Sequence, residues 1–148
     1  MKLLKITGLV LLVILVGLQF FPTRVNHSTT VSSTDFVKTY ETPEQVAQIL
    51  RTSCYNCHSN NTDYPWYSKV QPVGWLLEDH INKGKEVLNL SEFGFYSGRR
   101  QQSKLTSMIN QIEDGKMPLP AYTFIHREAR LSKEKKKTLL DYLRILKE

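Results

Sequence analysis

The stretch Cys54-Tyr55-Asn56-Cys57-His58 decides how the rest of this 148-residue chain is interpreted. It holds both cysteines of the chain, two residues apart, with a histidine directly after the second. This C-x-x-C-H spacing is the attachment signature of a c-type haem. Two thiols one turn apart can add to the vinyl groups of one porphyrin edge, and the next imidazole can reach the iron. The motif predicts one covalent haem c on Cys54 and Cys57, with His58 as axial ligand.

Two cysteines this close together have three other possible uses. A zinc site needs four ligands, but His58 is too close in sequence to Cys57 to be a separate ligand, and His80 and His126 are irregularly spaced. A thioredoxin-like redox pair needs a strand–helix–strand setting around C-x-x-C, whereas these flanks read as a helix and a loop. The third alternative is a structural disulfide within the motif. The export signal, the absence of other cysteines and the preceding helix favour haem attachment over these alternatives.

The second axial position of the iron is assigned to Met117. It lies in Gly-Lys-Met-Pro-Leu-Pro, residues 115–120, where the prolines restrict the backbone and can hold a thioether in place. Methionine is a common partner of histidine on such irons. His80, on the apolar side of a predicted helix, and His126, after the proline loop, remain alternatives, as does a vacant position. Met108 is expected in the core.

Aromatic and basic side chains near the motif have two possible roles each. The aromatic residues are expected to wall the core, with contact to haem propionates as the alternative. Two arginines are expected to be solvated, with propionate pairing as the alternative. The aromatic set is Tyr64, Trp66, Tyr67, Trp75 and Tyr122, beside Pro65, and the arginines are Arg99 and Arg100.

The N-terminal segment predicts export. A basic start with Lys2 and Lys5 precedes an apolar run over residues 6–21. This pattern is typical of a signal peptide or a signal anchor, and it places the following domain on the periplasmic side of the inner membrane. No A-x-A cleavage pattern follows, which favours an uncleaved membrane helix, although the run is short for a span. Residues 22–39 are predicted as a polar tether and residues 40–148 as the domain.

Helical periodicity predicts an all-α domain. Four helices are expected, and no stretch shows the alternation of a strand. Thr42 and Ser132 are expected as N-caps, and Gly84 and Gly115 as C-terminal ends. Long intervening loops at 59–71, 89–100 and 116–131 call for a cofactor to order them. The predicted helices cover residues 42–53, 72–83, 102–114 and 132–147.

The net charge of +6 does not indicate a nucleic-acid partner, because no nucleic-acid motif accompanies it. Much of the excess lies in lysines 133 and 135–137, which are expected on a solvated helix face. A docking patch for an acidic redox partner or an anionic lipid surface is the alternative.

Three blocks of sequence resemble the bacterial haem-binding domain family, whose members are small exported proteins with one C-x-x-C-H. The blocks are CYNCHSNNTDYPWYSKVQPVGW at 54–75, HINKGKEVLNLSEF at 80–93 and GKMPLPAYTFIHREARLS at 115–132. The resemblance covers roughly residues 37–146. It implies a cytochrome c-like helical domain with covalent haem on Cys54 and Cys57 and with His58 and Met117 on the iron. Phe93 and Leu119 depart from the usual tryptophan and proline.

These observations favour a single-haem electron carrier or redox subunit, working with an unidentified redox protein partner. Two axial side chains leave no open iron position, so substrate turnover is not expected. The alternatives are a haem-based sensor or small-gas binder with Met117 off the iron, or a peroxidase using His80 or His126 as acid–base group.

Overall fold

The computed structural model describes residues 1–28 and 30–147, and over these residues the chain is helical with no strand. The predicted all-α class is therefore confirmed. The α-helices are α1 (Lys2–Leu18), α2 (Phe36–Thr39), α3 (Glu44–Ser53), α4 (Tyr55–His58), α5 (Val73–Val87), α6 (Gly98–Glu113), α7 (Pro120–Ile125) and α8 (Lys133–Ile145). Short 3₁₀ turns cover Trp66–Lys69, Leu90–Phe95 and Arg127–Ala129.

The core forms where α3, α6 and α8 meet. Each of these helices turns one apolar stripe inward, as its 3.6-residue periodicity predicts. Full burial of one such leucine removes enough apolar surface from water to contribute about 1.5–3 kcal/mol. Met108 lies in this core, as expected. The buried side chains of these stripes are Val46, Ile49, Leu50, Leu105, Met108, Ile109, Ile112, Leu139, Leu140 and Leu143, with Leu146 partly buried.

Part of the core comes from segments that were predicted as tether or loop. Phe36 of α2 and Phe93 of the second 3₁₀ turn are both fully buried. Their rings meet edge to face with centroids 4.9 Å apart, an arrangement that aromatic pairs prefer. Leu88 and Leu90 complete this side of the core. These elements are too short to show a helical period, so the sequence pattern did not indicate them.

One predicted helix cap is confirmed and one is wrong. The Ser132 side chain accepts a hydrogen bond from the Lys135 backbone N–H and begins α8. Thr42 does not cap α3, which begins after Pro43. The Thr42 hydroxyl is buried and instead accepts a hydrogen bond of 3.1 Å from Tyr142. Thr42 thus bonds to Tyr142 of α8 and not to the backbone at the start of α3.

The predicted end of α5 at Gly84 is also wrong, because the helix continues to Val87. Gly84 lies inside the helix, where the backbone of Cys57 approaches closely. A glycine is needed at this position for packing and not for helix capping. The apolar side chains of this helix are mostly uncovered: only Gly74 and Ile81 are buried, and Leu76 is 59% exposed.

The predicted termination of α6 by Gly115 is confirmed. Gly115 has φ +68°, and its N–H donates to the Ile112 carbonyl at 3.2 Å. The Lys116 N–H donates to the Gln111 carbonyl at 2.9 Å. These two bonds form a Schellman motif, the usual ending of a helix at a left-handed glycine.

Helix α1 stands apart from the core, and none of its side chains is buried. It is 17 residues long, which corresponds to about 26 Å at 1.5 Å per residue. Among residues 1–28 and 30–147, no helix combines the length and apolar character needed to cross a membrane. The predicted membrane-spanning helix is therefore not supported.

The segment predicted as a polar tether is hydrogen-bonded to the domain at Asn26. Its backbone N–H donates to the Tyr64 hydroxyl at 2.8 Å. Its side-chain Nδ2 donates to the Ser59 carbonyl and to Thr62 Oγ1, both at 2.9 Å. Its Oδ1 accepts from Lys85 at 2.6 Å. Asn26 thus ties the N-terminal segment to the loop that follows the C-x-x-C-H motif.

Candidate functional site

The C-x-x-C-H motif forms one helical turn set at an angle to α3. Cys54 has φ −127° and ψ −43°, which ends α3 and starts α4 in a new direction. The Cys54 carbonyl accepts hydrogen bonds from the N–H groups of Cys57 at 3.2 Å and His58 at 3.0 Å. The two cysteines therefore stand one turn apart, as the sequence pattern predicts, with the imidazole directly after them.

Helix α5 lies close against this turn. A Cβ atom built on Gly84 would be 2.6 Å from the carbonyl oxygen of Cys57, closer than real Cβ contacts occur. Only glycine allows the two backbones to approach this far. The close approach brings the carbonyl groups of the last turn of α5 to His58.

His58 is held as a neutral imidazole. Its Nδ1 is 2.9 Å from the Gly84 carbonyl oxygen and 3.1 Å from that of Leu88. Carbonyl oxygens only accept, so Nδ1 carries the proton and Nε2 keeps its lone pair. Burial holds the pKa of His58 below its usual value, and the two carbonyl bonds oppose this shift in part. In the described chain Nε2 has no hydrogen-bond partner, so it is available to a metal.

Two clefts open beside His58, and both include Met117. Both clefts are partly open to solvent. Their walls are largely apolar side chains, which is the lining that a porphyrin requires. The residues common to both clefts are Ser53, Cys54, His58, Val87, Met117 and Pro118.

The backbone before Pro118 is fixed by the end of α6. The Met117 N–H donates to the Gln111 carbonyl at 3.1 Å, next to the bond from Lys116 to the same oxygen. The thioether side chain is half-buried and lines both clefts with His58. The hydrogen bonds at the end of α6 therefore position Met117 at the site, and the proline-rich segment begins after it.

The two cysteines are free thiols. Burial, with a smaller effect of the neighbouring Cys57, raises the pKa of Cys54 to about 12. Burial also raises the pKa of Cys57. Among the described residues there is no group of three or more histidine, cysteine, aspartate and glutamate side chains that could hold a metal ion.

The structure places His80 and His126, the alternatives to Met117 as axial ligand, in different surroundings. His80 is exposed on α5 and lines one cleft, and its Nδ1 lies 2.8 Å from the Leu76 carbonyl oxygen. His126 is not among the cleft residues. Its Nε2 lies 2.6 Å from the Tyr67 hydroxyl and its Nδ1 lies 3.1 Å from Glu128. Both nitrogens of His126 are therefore occupied.

The predicted aromatic core wall is wrong, because none of these rings is buried and Trp66 is 79% exposed. Tyr122 alone among them lines a cleft. It stacks on His126 with centroids 4.3 Å apart, and its hydroxyl accepts a bond of 2.9 Å from Asn56 within the motif. Of the aromatic residues that the sequence offers near the motif, only Tyr122 therefore reaches the clefts.

The arginines considered for propionate contact lie away from the clefts. Both are exposed, and the Arg100 guanidinium lies 4.5 Å from the centroid of the Tyr96 ring. Cationic side chains that do line the clefts are Lys83 and Lys104, which sequence reasoning did not single out. Lys104 also donates to the Val87 carbonyl.

Ser53 is a third residue that sequence reasoning missed. It lines both clefts, and its Oγ is buried without a hydrogen-bond partner in the described residues. An unpaired buried hydroxyl is costly in a finished protein interior. Together with the free Nε2 of His58, it indicates that the clefts accommodate a group with polar atoms. The residues present therefore fit a haem.

The fold and the site together define a small all-helical protein with a haem-compatible cleft. A family model described as Haem-binding domain matches residues 13–145. The chain belongs to this haem-binding domain family, as its sequence resemblance predicts, and haem is the cofactor that the family binds. No curated protein and no solved structure matched the chain.

Proposed function

We propose that this protein carries one covalent haem c and works as a single-electron carrier. Cys54 and Cys57 form the thioether links, His58 holds the iron through Nε2, and Met117 supplies the second axial ligand. The observation that carries the proposal is the shared cleft: one free imidazole nitrogen, two neutral thiols and one thioether side chain line the same space.

The side chains have distinct tasks in this proposal. The carbonyls of Gly84 and Leu88 fix the tautomer and the ring plane of His58. The Schellman bonds of α6 fix the main chain that carries Met117. The largely apolar surface of the clefts would pack against the faces of the porphyrin. The bound haem would supply the one-electron oxidation and reduction.

Export is part of the proposal, since covalent haem attachment takes place outside the bacterial cytoplasm. The basic start and apolar α1 support an export signal. We therefore place the haem domain at the outer face of the cytoplasmic membrane, where a redox protein partner exchanges electrons with it.

The test is to produce the chain in a host with a cytochrome c maturation system and to denature it. Haem retained by the denatured wild type, with the corresponding added mass, supports attachment. The Cys54→Ala/Cys57→Ala variant is the matched control and should release its haem. If the wild type loses its haem on denaturation, covalent attachment is wrong.

Absorption spectra of the loaded protein test the axial ligands. We expect low-spin six-coordinate iron in both oxidation states and a near-infrared thioether–iron band that Met117→Ala removes. His126→Ala is the control, because His126 lies outside the clefts, and it should keep the band. High-spin ferrous iron that takes up carbon monoxide would instead favour the small-gas binder.

A further inference from the structure

One hydrogen bond connects the two segments that carry the proposed axial ligands. The Asn56 side-chain Nδ2 donates to the Tyr122 hydroxyl at 2.9 Å. Asn56 belongs to α4, the turn that carries His58, and Tyr122 belongs to α7, which begins shortly after Met117. Both side chains line the cleft that contains His58 and Met117. The bond therefore joins the segment of one proposed ligand directly to the segment of the other.

Asn56 is held in the orientation that this bond requires. Its Oδ1 accepts from the Asp63 backbone N–H at 3.1 Å, and its carbonyl oxygen accepts from the Thr62 hydroxyl at 2.8 Å. A backbone N–H can only donate, so it fixes which end of the Asn56 amide is the oxygen. The Nδ2 end then faces the Tyr122 hydroxyl as a donor. Asn56 is therefore a fixed attachment point for α7.

Polar contacts, and not burial, hold α7 in place. None of its residues is buried, so removal of apolar surface from water contributes little to its position. His126, directly after the helix, has its Nε2 2.6 Å from the Tyr67 hydroxyl. Within residues 1–28 and 30–147, the bond from Asn56 is the one hydrogen bond that joins a residue of α7 itself to a segment distant in sequence. Loss of this bond should therefore loosen the start of α7.

A movement of α7 would reach Met117, because the connection between them is short and stiff. Residues 118–121 separate Met117 from Tyr122, and two of these four residues are prolines, whose φ angles are fixed. On its other side, the Met117 N–H donates to the Gln111 carbonyl at 3.1 Å. The main chain of Met117 thus lies between two attachments, one at the end of α6 and one at Asn56.

We propose that Asn56 and Tyr122 are positioning residues whose hydrogen bond holds Met117 on the iron against competing ligands. A ligand that the chain already holds in its bound position loses less conformational freedom on binding, and its effective affinity is higher for that reason. This role rests on the proposed ligation by Met117. It adds the interaction that keeps the thioether in place when a small molecule competes for the iron.

Imidazole tests this role, because it competes with Met117 for the oxidised iron of the full haem-loaded chain. Absorption titrations measure its affinity. Tyr122→Phe removes the hydroxyl and keeps the ring that stacks on His126. We expect this variant to bind imidazole about 3-fold to 10-fold more tightly than wild type, which is the factor that one net hydrogen bond corresponds to. Asn56→Ala should give a similar increase, and the double variant should give no more, because the two side chains share one bond.

Tyr40→Phe is the matched control. It removes a tyrosine hydroxyl that donates to Gln101 at 3.0 Å, and neither residue lines the clefts. Its imidazole affinity should equal that of wild type even if its stability is lower. A purely structural effect of losing a tyrosine hydroxyl would instead raise the imidazole affinity of Tyr40→Phe and Tyr122→Phe alike, which would overturn the positioning role.

Two further results would overturn it. One is an imidazole affinity of Tyr122→Phe equal to that of wild type, and the other is additive effects of Tyr122→Phe and Asn56→Ala in the double variant. The near-infrared thioether–iron band of the wild type is recorded first. Absence of the band would refute ligation by Met117 and this role with it, whereas an unchanged affinity in a protein that shows the band would refute the positioning role alone.

Discussion

A Cβ atom on Gly84 would lie 2.6 Å from the carbonyl oxygen of Cys57. This close approach of α5 to α4 places the Gly84 carbonyl within 2.9 Å of Nδ1 of His58. One glycine thus lets the helices meet and supplies the acceptor that orients the imidazole.

Gly84→Ala should lower the free energy of unfolding of the haem-loaded protein by about 1–3 kcal/mol, as overpacking generally does. The added methyl group has to push α5 away from Cys57, which also lengthens the bond to His58. Urea denaturation followed by circular dichroism measures the loss. Gly98→Ala is the control, because its Cβ would meet nothing within 4 Å. Equal stability of the two variants would contradict the packing argument.

Gly115→Ala should cost about 1–2 kcal/mol, because an alanine resists the left-handed conformation. Space is not the cause here, since nothing lies within 4 Å of the added Cβ, whereas φ is +68°. We also expect a weaker near-infrared thioether–iron band, because Met117 follows the same helix ending. Gly115→Asn should lose less stability, since asparagine tolerates this conformation better. An alanine variant as stable as wild type would refute the explanation.

Tyr55 should make the protein sensitive to alkali. Its hydroxyl donates to Asp35 at 2.9 Å, and burial, the nearby Asp35 charge and this bond raise the pKa of Tyr55 above its usual value. The unfolded chain loses this proton above about pH 10, while the folded chain keeps it. The stability that Tyr55 contributes is therefore present below pH 10 and is lost as the pH rises further.

Tyr55→Phe should lower the free energy of unfolding at neutral pH by about 1–3 kcal/mol, because Asp35 loses a buried donor. The free energy of unfolding of this variant should also decrease less steeply with rising pH. Urea titrations from pH 8 upwards measure this dependence. Asp35→Asn keeps the acceptor oxygen and removes the charge. Its stability should therefore decrease with pH less steeply than that of wild type and more steeply than that of Tyr55→Phe. Parallel curves for wild type and Tyr55→Phe would show that Tyr55 is not the titrating group.

Ser132→Ala should cost about 1 kcal/mol, the typical value of a lost N-cap. The Ser132 side chain accepts from the Lys135 N–H and begins α8. Ser97 occupies the same position before α6 but makes no side-chain capping bond, so Ser97→Ala should leave the thermal midpoint nearly unchanged. A similar loss for both serines would mean that the cap bond does not explain the effect.

The sequence predicted the long elements of this fold because each repeats an apolar stripe over several turns. The faces of α3, α6 and α8, the Ser132 cap and the Gly115 ending are all local patterns, and the structure confirms them. The short elements were missed because a single turn, such as α2 around Phe36, has no measurable period.

The candidate site was predictable to the extent that its chemistry lies in adjacent residues. Cys54, Cys57 and His58 form one motif, and Met117 was singled out by its proline-bounded loop. Other groups reach the site only because the helices pack against one another, which local sequence does not show. They are the carbonyls of Gly84 and Leu88, the hydroxyl of Ser53 and the cleft lysines Lys83 and Lys104. Gly84 was even misread as a helix end, because a glycine looks the same in sequence whether it ends a helix or lets another backbone approach.

The bonds of Asn26 limit how far the chain can be trimmed from its N-terminal side. A protease that cuts between Phe21 and Val25 would release α1 and leave Asn26 bonded to Ser59, Thr62, Tyr64 and Lys85. A cut beyond Asn26 would remove the residue that makes these hydrogen bonds to the loop after the C-x-x-C-H motif and to Lys85 of α5. Any shortened form that keeps this loop in place therefore starts at or before Asn26.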